Sequence, residues 1–455
     1  MGSDSDLQTL VELGERVMHR ARKAGADTAE VSVRSGWALN VRVRMGKPEL
    51  VEEAGHKGIT LRILREQRVA ITSTTDLSED GLGRCIQDAM MLVQLSEPDP
   101  LAMPPESGEL ARAPFPDLDL FDETVATIDA DRAIELALRA EQAAFDTDPR
   151  IRLSEGASFS RSNSASALVL SSGFVGTKRG SYASLAVAPV VEDSGNKKRR
   201  GHYWTGHRHA CALEPAEAVG REAARRALAK MGARKVGTRE APVVFDPEAA
   251  RSVIGSFAGC ILGGSLWRRS SYLLDRLGTE VGSPLVTLVD DPLVVRGPGS
   301  RVFDGEGRAT KRQVVVDGGK LETYLLDTYS ARKLSLAPTS SAGRSGGALA
   351  ATTSNFSLSP GTQSRDELIS QIDAGLLVTE MMGFGFNPVT GDFSRGAAGF
   401  WIDNGRLSHP VSEVTVSSNL DAMLKGIVAV ANDLDEKTST ASPTFCIRSM
   451  TISGQ

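Results

Sequence analysis

The chain of 455 residues contains no run of 18 apolar residues, so hydropathy offers no membrane-spanning helix. Its four cysteines (Cys85, Cys211, Cys260 and Cys446) are scattered and form no CxxC pair. That pattern argues against a disulfide framework and points to reduced, structural thiols. A long basic tract is also missing, since the densest cluster is Lys197, Lys198, Arg199 and Arg200 in a chain of formal charge −5. A nucleic-acid binder needs a broader basic footprint, so direct contact with DNA or RNA is not expected. The first residues, MGSDSD, are acidic and polar and carry no signal-peptide pattern. The expected location is therefore the cytoplasm, with no membrane contact. No repeat of 20–50 residues stands out. The 41% hydrophobic and 24% charged residues are ordinary for a globular protein, and the length suggests about three domains.

The order of patterns predicts an α+β fold in several units. Leu7, Leu10, Val11, Val17, Met18 and Ala21 share one helical face, with Asp6 as N-cap and Gly25 as the stop. Strands are expected at 30–34, 38–44, 59–65 and 69–73, then a helix over 77–95. Together these make an N-terminal α+β unit, residues 1–96. Residues 97–117 hold six of the twenty prolines and read as an extended linker. A middle α+β unit, 118–235, runs from a helix at 130–145 through strands at 151–158, 165–172, 182–191 and 202–213 to a helix at 215–231. The C-terminal domain, 240–455, reads as β-rich with helices at 247–262 and 420–434. Two hairpins are marked in it by Asp317-Gly318-Gly319 and Asn404-Gly405, residues that tolerate positive φ.

The most informative stretch is 383–401, GFGFNPVTGDFSRGAAGFW, in which seven of nineteen residues are glycine or alanine. Missing side chains let backbone approach backbone or a ligand. Asp392, Ser394 and Arg395 sit inside it, yet no neighbouring histidine could activate Ser394. Two readings stay open. Asp392 could cap the Thr390-Gly391 turn while Arg395 pairs with Glu380 or Glu413, or the group could contact a peptide or a partner chain. Tyr329 and Arg332 are either exposed helix residues or contacts. Trp267, Arg268, Phe384 and Phe386 could anchor an interface or pack within this chain. The stretch lacks the strand–GxGxxG–helix context of a nucleotide loop. His202-x4-His207-x-His209-x-Cys211 is either a metal candidate, because alternate residues of a strand point to one face, or simply a hydrated edge or middle-domain strand.

GGSLWRRSSYLLDRLG (263–278), FDGEGRATKRQ (303–313), LLDTYSARKL (325–334), GLLVTEMMG (375–383), GFGFNPVTGDFSRGAAGFW and PVSEVTVSSNL (410–420) occur in order along the chain. They closely resemble the TldE (PmbA) subunit of the TldD/TldE metallopeptidase family, densely over 240–455 and more loosely over 25–230. The resemblance implies a metal-free subunit that degrades or trims peptides together with a zinc-bearing, TldD-type paralogue. In that paralogue a helix carries HExxxH and a later cysteine completes the ligands. The first histidine falls here on Gly255, the glutamate on Ser256 and the second histidine on Cys260, while Ser442-Pro443 stands near the cysteine position. A hydrolytic zinc needs about three ligands and a general base, which these residues do not supply.

The expectation is therefore no cofactor and no catalytic residue in this chain, with zinc in the partner. Extended or unfolded peptides would enter a shared cleft by backbone pairing. Two alternatives remain. One is a non-enzymatic regulatory protein, in line with the family's gyrase-modulator label. The other is a self-sufficient hydrolase using His207, His209 and Cys211.

Overall fold

The computed structural model describes residues 4–454. The N-terminal part opens with helix α1 (Asp4–Lys23), strands β1 (Thr28–Arg44), β2 (Lys47–Arg65) and β3 (Arg68–Thr74), and helix α2 (Glu79–Leu95). After the proline-rich segment come α3 (Glu123–Ala126), α4 (Ala130–Thr147), β4 (Ile151–Leu170), β5 (Val175–Asp193), β6 (Lys197–Arg200), β7 (Tyr203–His207) and α5 (Ala216–Ala229). All seven strands join one sheet in the order β3-β2-β1-β4-β5-β6, with β7 also on β5. The seam between its two halves is the β1–β4 ladder, which runs from Glu30↔Leu170 to Val43↔Ala157. Leu10, Val17, Leu82 and Ile86 of α1 and α2 cover one stretch of sheet, and Ala137, Ala140, Val219 and Ala223 of α4 and α5 cover another.

The C-terminal part begins with β8 (Arg239–Phe245), α6 (Pro247–Cys260), α7 (Gly263–Trp267), β9 (Leu288–Asp290), β10 (Gln313–Asp317) and β11 (Lys320–Leu321). It continues through α8 (Thr328–Leu334), β12 (Ala342–Ser345), β13 (Ala348–Ala351), β14 (Phe356–Leu358) and α9 (Arg365–Ser370). The last elements are β15 (Ala374–Met382), β16 (Asp392–Asp403), β17 (Arg406–Asn419), α10 (Leu420–Lys425), β18 (Ile427–Val430), β19 (Thr440–Ala441) and β20 (Phe445–Ser453). A six-stranded sheet, β17-β16-β15-β8-β20-β18, closes on itself because β17 also pairs with β20. Closure removes two free edges. A five-stranded sheet (β11-β10-β9-β14-β19) and the β12–β13 hairpin complete the domain. Phe245, Phe257, Phe356, Phe393 and Phe445 are fully buried in this half and dominate its core. The α+β class, with a β-rich C-terminal domain bearing helices, is the one the sequence predicts.

Several local expectations are corrected. Helix α1 begins at Asp4, so Asp6 lies inside it and is not its N-cap. The strands expected at 30–34 and 38–44 are one strand, as are those at 151–158 and 165–172. Gly36 does not break β1. A Cβ there would come within 2.6 Å of the His56 ring and 2.9 Å of the Asn163 carbonyl, so glycine permits the close approach of three strands. The strand expected over 202–213 ends at His207, because the backbone turns to side-chain partners: His209 N donates to His207 Nδ1, and Ala210 N to Asp122. The closing helix stops at Lys425. Gly426 caps it, and the β-branched run that follows enters the sheet as β18.

Candidate functional site

Helix α6 is where the resemblance places the metal motif. Asp246 caps it by accepting from Ala249 N, Pro247 opens it, and Ala249, Ala250, Val253, Ile254, Phe257 and Ala258 bury one face. The other face carries Ser252, Gly255, Ser256 and Gly259. A methyl group at Gly255 would meet only Thr440 Cγ2, at 3.9 Å, and one at Gly259 would meet nothing within 4 Å. Ser256 Oγ donates back to the Ser252 carbonyl at 3.0 Å. Five residues advance an α-helix about 140° beyond a full turn, so positions 255 and 260 point different ways. Cys260 is fully buried, and burial pushes its thiol up to about 12. Ser442 is buried with its hydroxyl on the Pro443 carbonyl, and the buried Cys446 thiol is also pushed up to about 12. These donors do not fit a zinc ion: one position has no side chain, another is internally bonded, and the thiols are inaccessible and protonated.

Beside this bare face lies the glycine-rich stretch. Residues 383–391 loop between β15 and β16, and Phe384 is completely exposed at 102%. Met382 and Val389 are half exposed, while Phe386 packs partly against the core and bridges to Phe393. Gly385 sits where a Cβ would fall 1.7 Å from the Ser394 carbonyl. Asp392 holds the Thr390 hydroxyl at 2.7 Å and Asn419 Nδ2 at 3.3 Å, fixing the turn. Ser394 Oγ shares a hydrogen bond with Ser417 Oγ.

Arg395 reaches α6, donating to Ser252 Oγ at 3.1 Å, and its Nε is buried with no hydrogen-bond partner among the described residues. Neither expected carboxylate is free for it. Glu380 pairs with Lys230, and Glu413 pairs with Lys197 and Lys235. Desolvation by burial lowers the guanidinium's pKa. A half-buried cation with no anionic partner among the described residues thus stands between the bare helix face and an exposed phenylalanine.

Trp267 is half-buried and meets Tyr329 edge-on at 5.7 Å, with the exposed Arg268 over its ring at 5.1 Å. Tyr329 and Arg332 face inward, toward the proline-rich segment. Tyr329 donates to Asp99 at 2.9 Å, and Arg332 donates to the carbonyls of Leu101, Met103 and Pro104. These side chains strap 97–117 to the C-terminal domain.

The histidine cluster does not assemble into a ligand set. The His207 and His209 rings are 6.0 Å apart, His209 Nε2 bonds the Asp119 carbonyl at 2.9 Å, and Cys211 is exposed in a 3-10 turn. Among the described residues, no three His, Cys, Asp or Glu side chains group to hold a metal ion. His207 instead lines a cleft of about 610 Å³ with Arg208, Glu214, Arg312, Asp435 and Lys437. Sequence reasoning missed a second cleft, which gathers Arg34, Lys178, Arg301 and Arg344 from distant segments. Only Arg301 lies near a motif singled out in the sequence, 303–313.

The fold and the degenerate motif helix define a class. Residues 29–93 match PmbA/TldA metallopeptidase domain 1, residues 123–231 the central domain and residues 238–454 the C-terminal domain. The chain belongs to the PmbA/TldD metallopeptidase family. It is 36% identical over 430 residues to Metalloprotease PmbA of Escherichia coli O157:H7, covering 94% of this chain and 93% of that protein. A Metalloprotease PmbA homolog of Haemophilus influenzae is also 36% identical, over 95% of this chain and 94% of its own. A Metalloprotease TldD homolog from the same organism is 27% identical over 55% of each chain. A Bacteroides thetaiotaomicron structure named for modulation of DNA gyrase superimposes with TM-score 0.92 at 28% identity, over the whole of both chains. TldE from Thermococcus kodakarensis shares the fold, with TM-score 0.85 at 19% identity, over 97% of this chain and all of that one. Among the described residues no helix is long and apolar enough to cross a membrane.

Proposed function

We propose that this chain is the metal-free subunit of a cytoplasmic, two-subunit peptidase whose zinc chemistry belongs to a TldD-type paralogue. The observation that carries the reading is the outward face of α6, where Gly255 and Ser256 offer no ligand and no base while Cys260 is buried. The fuller coverage of PmbA-type relatives than of the TldD homolog supports it. The chain's part is to supply walls and contacts for an extended peptide. Phe384 offers apolar area that a partner would bury, and Arg395 offers a charge that a carboxylate of the partner or peptide would neutralise.

The test mixes the purified chain with an HExxxH paralogue and follows cleavage of an unfolded peptide alongside gel filtration. Expected are co-elution, activity only in the mixture, and less than a tenth of a zinc ion per isolated chain. One zinc per chain, or cleavage by the chain alone, would overturn the proposal. Co-elution with gyrase instead of the paralogue would favour the regulatory reading.

A further inference from the structure

The cleft missed by sequence reasoning measures about 480 Å³ and lies between the N-terminal sheet and the β12 hairpin of the C-terminal domain. Four cations line it: Arg34 from β1, Lys178 from β5, Arg301 from a loop and Arg344 from β12. Their neutralisation is incomplete. Arg344, with a side chain 5% exposed, shares Glu30 with Arg62, so one carboxylate serves two guanidinium groups. Its Nη1 is buried without a hydrogen-bond partner among the described residues. Arg301, near the buried carboxylates of Asp290 and Asp304, gives its two terminal nitrogens to the carbonyls of Thr353 and Thr352, and its Nε has no partner among the described residues.

Lys178 donates to the Phe303 carbonyl at 3.0 Å and lies 4.3 Å over that ring, with no ion pair among the described residues. Desolvation and the nearby Arg301 lower its ammonium to about 8. Asp304, the carboxylate of the cleft, is fully buried and already accepts from the backbone N–H groups of Glu306, Arg308 and Ala342. Burial pushes its pKa up, against the backbone hydrogen bonds and the nearby Arg301 that lower it.

We propose that this cleft binds a phosphate group, either as free inorganic phosphate or as part of a small phosphomonoester. A carboxylate is planar and is best met by one whole guanidinium fork. Here both buried forks are already engaged, and the spare positive charge comes from separate side chains on four segments. A tetrahedral oxyanion accepts from several directions at once, and the hydroxyls of Ser35, Ser164 and Ser166 on the cleft wall add neutral donors. The inference does not depend on the peptidase reading.

The test titrates the full-length chain calorimetrically, at fixed ionic strength in chloride, with inorganic phosphate, O-phosphoserine and acetate. Expected is one saturable site per chain for at least one phosphate probe, with acetate at least tenfold weaker. Lys178→Met should weaken binding at least tenfold and Arg34→Gln severalfold. Arg34 is exposed, so its variant retains the fold, which a melting curve checks for both. Binding of O-phosphoserine alone would identify phosphomonoesters as the ligand class, and binding of both probes would admit the free ion. Absence of saturable phosphate binding, equal affinity for acetate, or unchanged affinity in both variants would overturn the proposal.

Discussion

Replacing Gly255 by alanine should stabilise the isolated chain. The residue lies within α6, away from both caps, and its φ is not positive. Glycine in a helix interior costs about 0.5–1 kcal/mol relative to alanine, because it loses more backbone freedom on folding. An added methyl group would meet Thr440 Cγ2 at 3.9 Å, ordinary van der Waals contact, so no steric term opposes the gain. The net should be about 0.5–1 kcal/mol, raising the melting temperature by roughly 1–4 °C for a domain of this size. Differential scanning fluorimetry and urea titration of the isolated chain measure it. A melting temperature lowered by 2 °C or more would refute the assignment of this face as open. The functional half uses Gly255→Gln, whose side chain projects from the same face. It should leave the isolated chain's melting temperature within about 2 °C yet reduce paralogue-dependent cleavage at least tenfold. Full cleavage by that variant would mean that neither partner nor peptide approaches α6.

Gly399 should behave oppositely: a Cβ there falls 1.8 Å from the Leu377 carbonyl, so Gly399→Ala must spread β15 from β16, costing about 3 kcal/mol or more by chemical denaturation. Glu30→Gln leaves Arg62 and Arg344 buried without their shared anion, and a loss of about 3–5 kcal/mol is expected. Asp246 is raised by burial from 3.8 to about 7, so the folded chain holds a proton that the unfolded chain has lost between these values. Its contribution to stability is therefore greatest below pH 4 and declines as pH rises to about 7, by of order 4 kcal/mol. Relative to wild type, Asp246→Asn should gain stability between pH 4 and 8; parallel stability curves would contradict this. Phe384→Ser should leave melting unchanged and weaken co-elution with the paralogue, whereas a destabilised monomer would show that the ring packs internally.

Local features were legible in the sequence where one segment determines them. Gly318 and Gly319 take φ +51° and +88°, and Asn404 and Gly405 take +48° and +73°, the paired positive values that the residue types implied. The helix at 247–260 was legible from its capping aspartate, proline and apolar spacing. What escaped depends on partners far away in the chain. The continuity of β1 and β4 was missed because serine and glycine look like breakers until three strands are seen to crowd together. The motif alignment identified Gly255 and Cys260, but the burial of one and the exposure of the other's position needed the helix to be docked. Arg395 was assigned carboxylates that lysines from the middle part of the chain already hold. The cationic cleft was invisible for the same reason, since its four cations lie between residues 34 and 344.

The β1–β4 ladder also dictates an order of events during synthesis. Strand β1 is complete at Arg44, but its partner does not begin until Ile151. At ordinary translation rates the interval is on the order of 5 to 20 seconds, far longer than a hairpin needs to form. Throughout it, β1 pairs with β2 on one side and presents an open row of amides and carbonyls on the other. Neighbouring ribosomes on the same message would carry the same unsatisfied edge, the circumstance in which identical strands join. The exposed Arg34, Asn40, Arg42 and Arg44 along β1 place charge and polarity where another copy would dock. Such side chains would weaken that pairing while the chain is still incomplete.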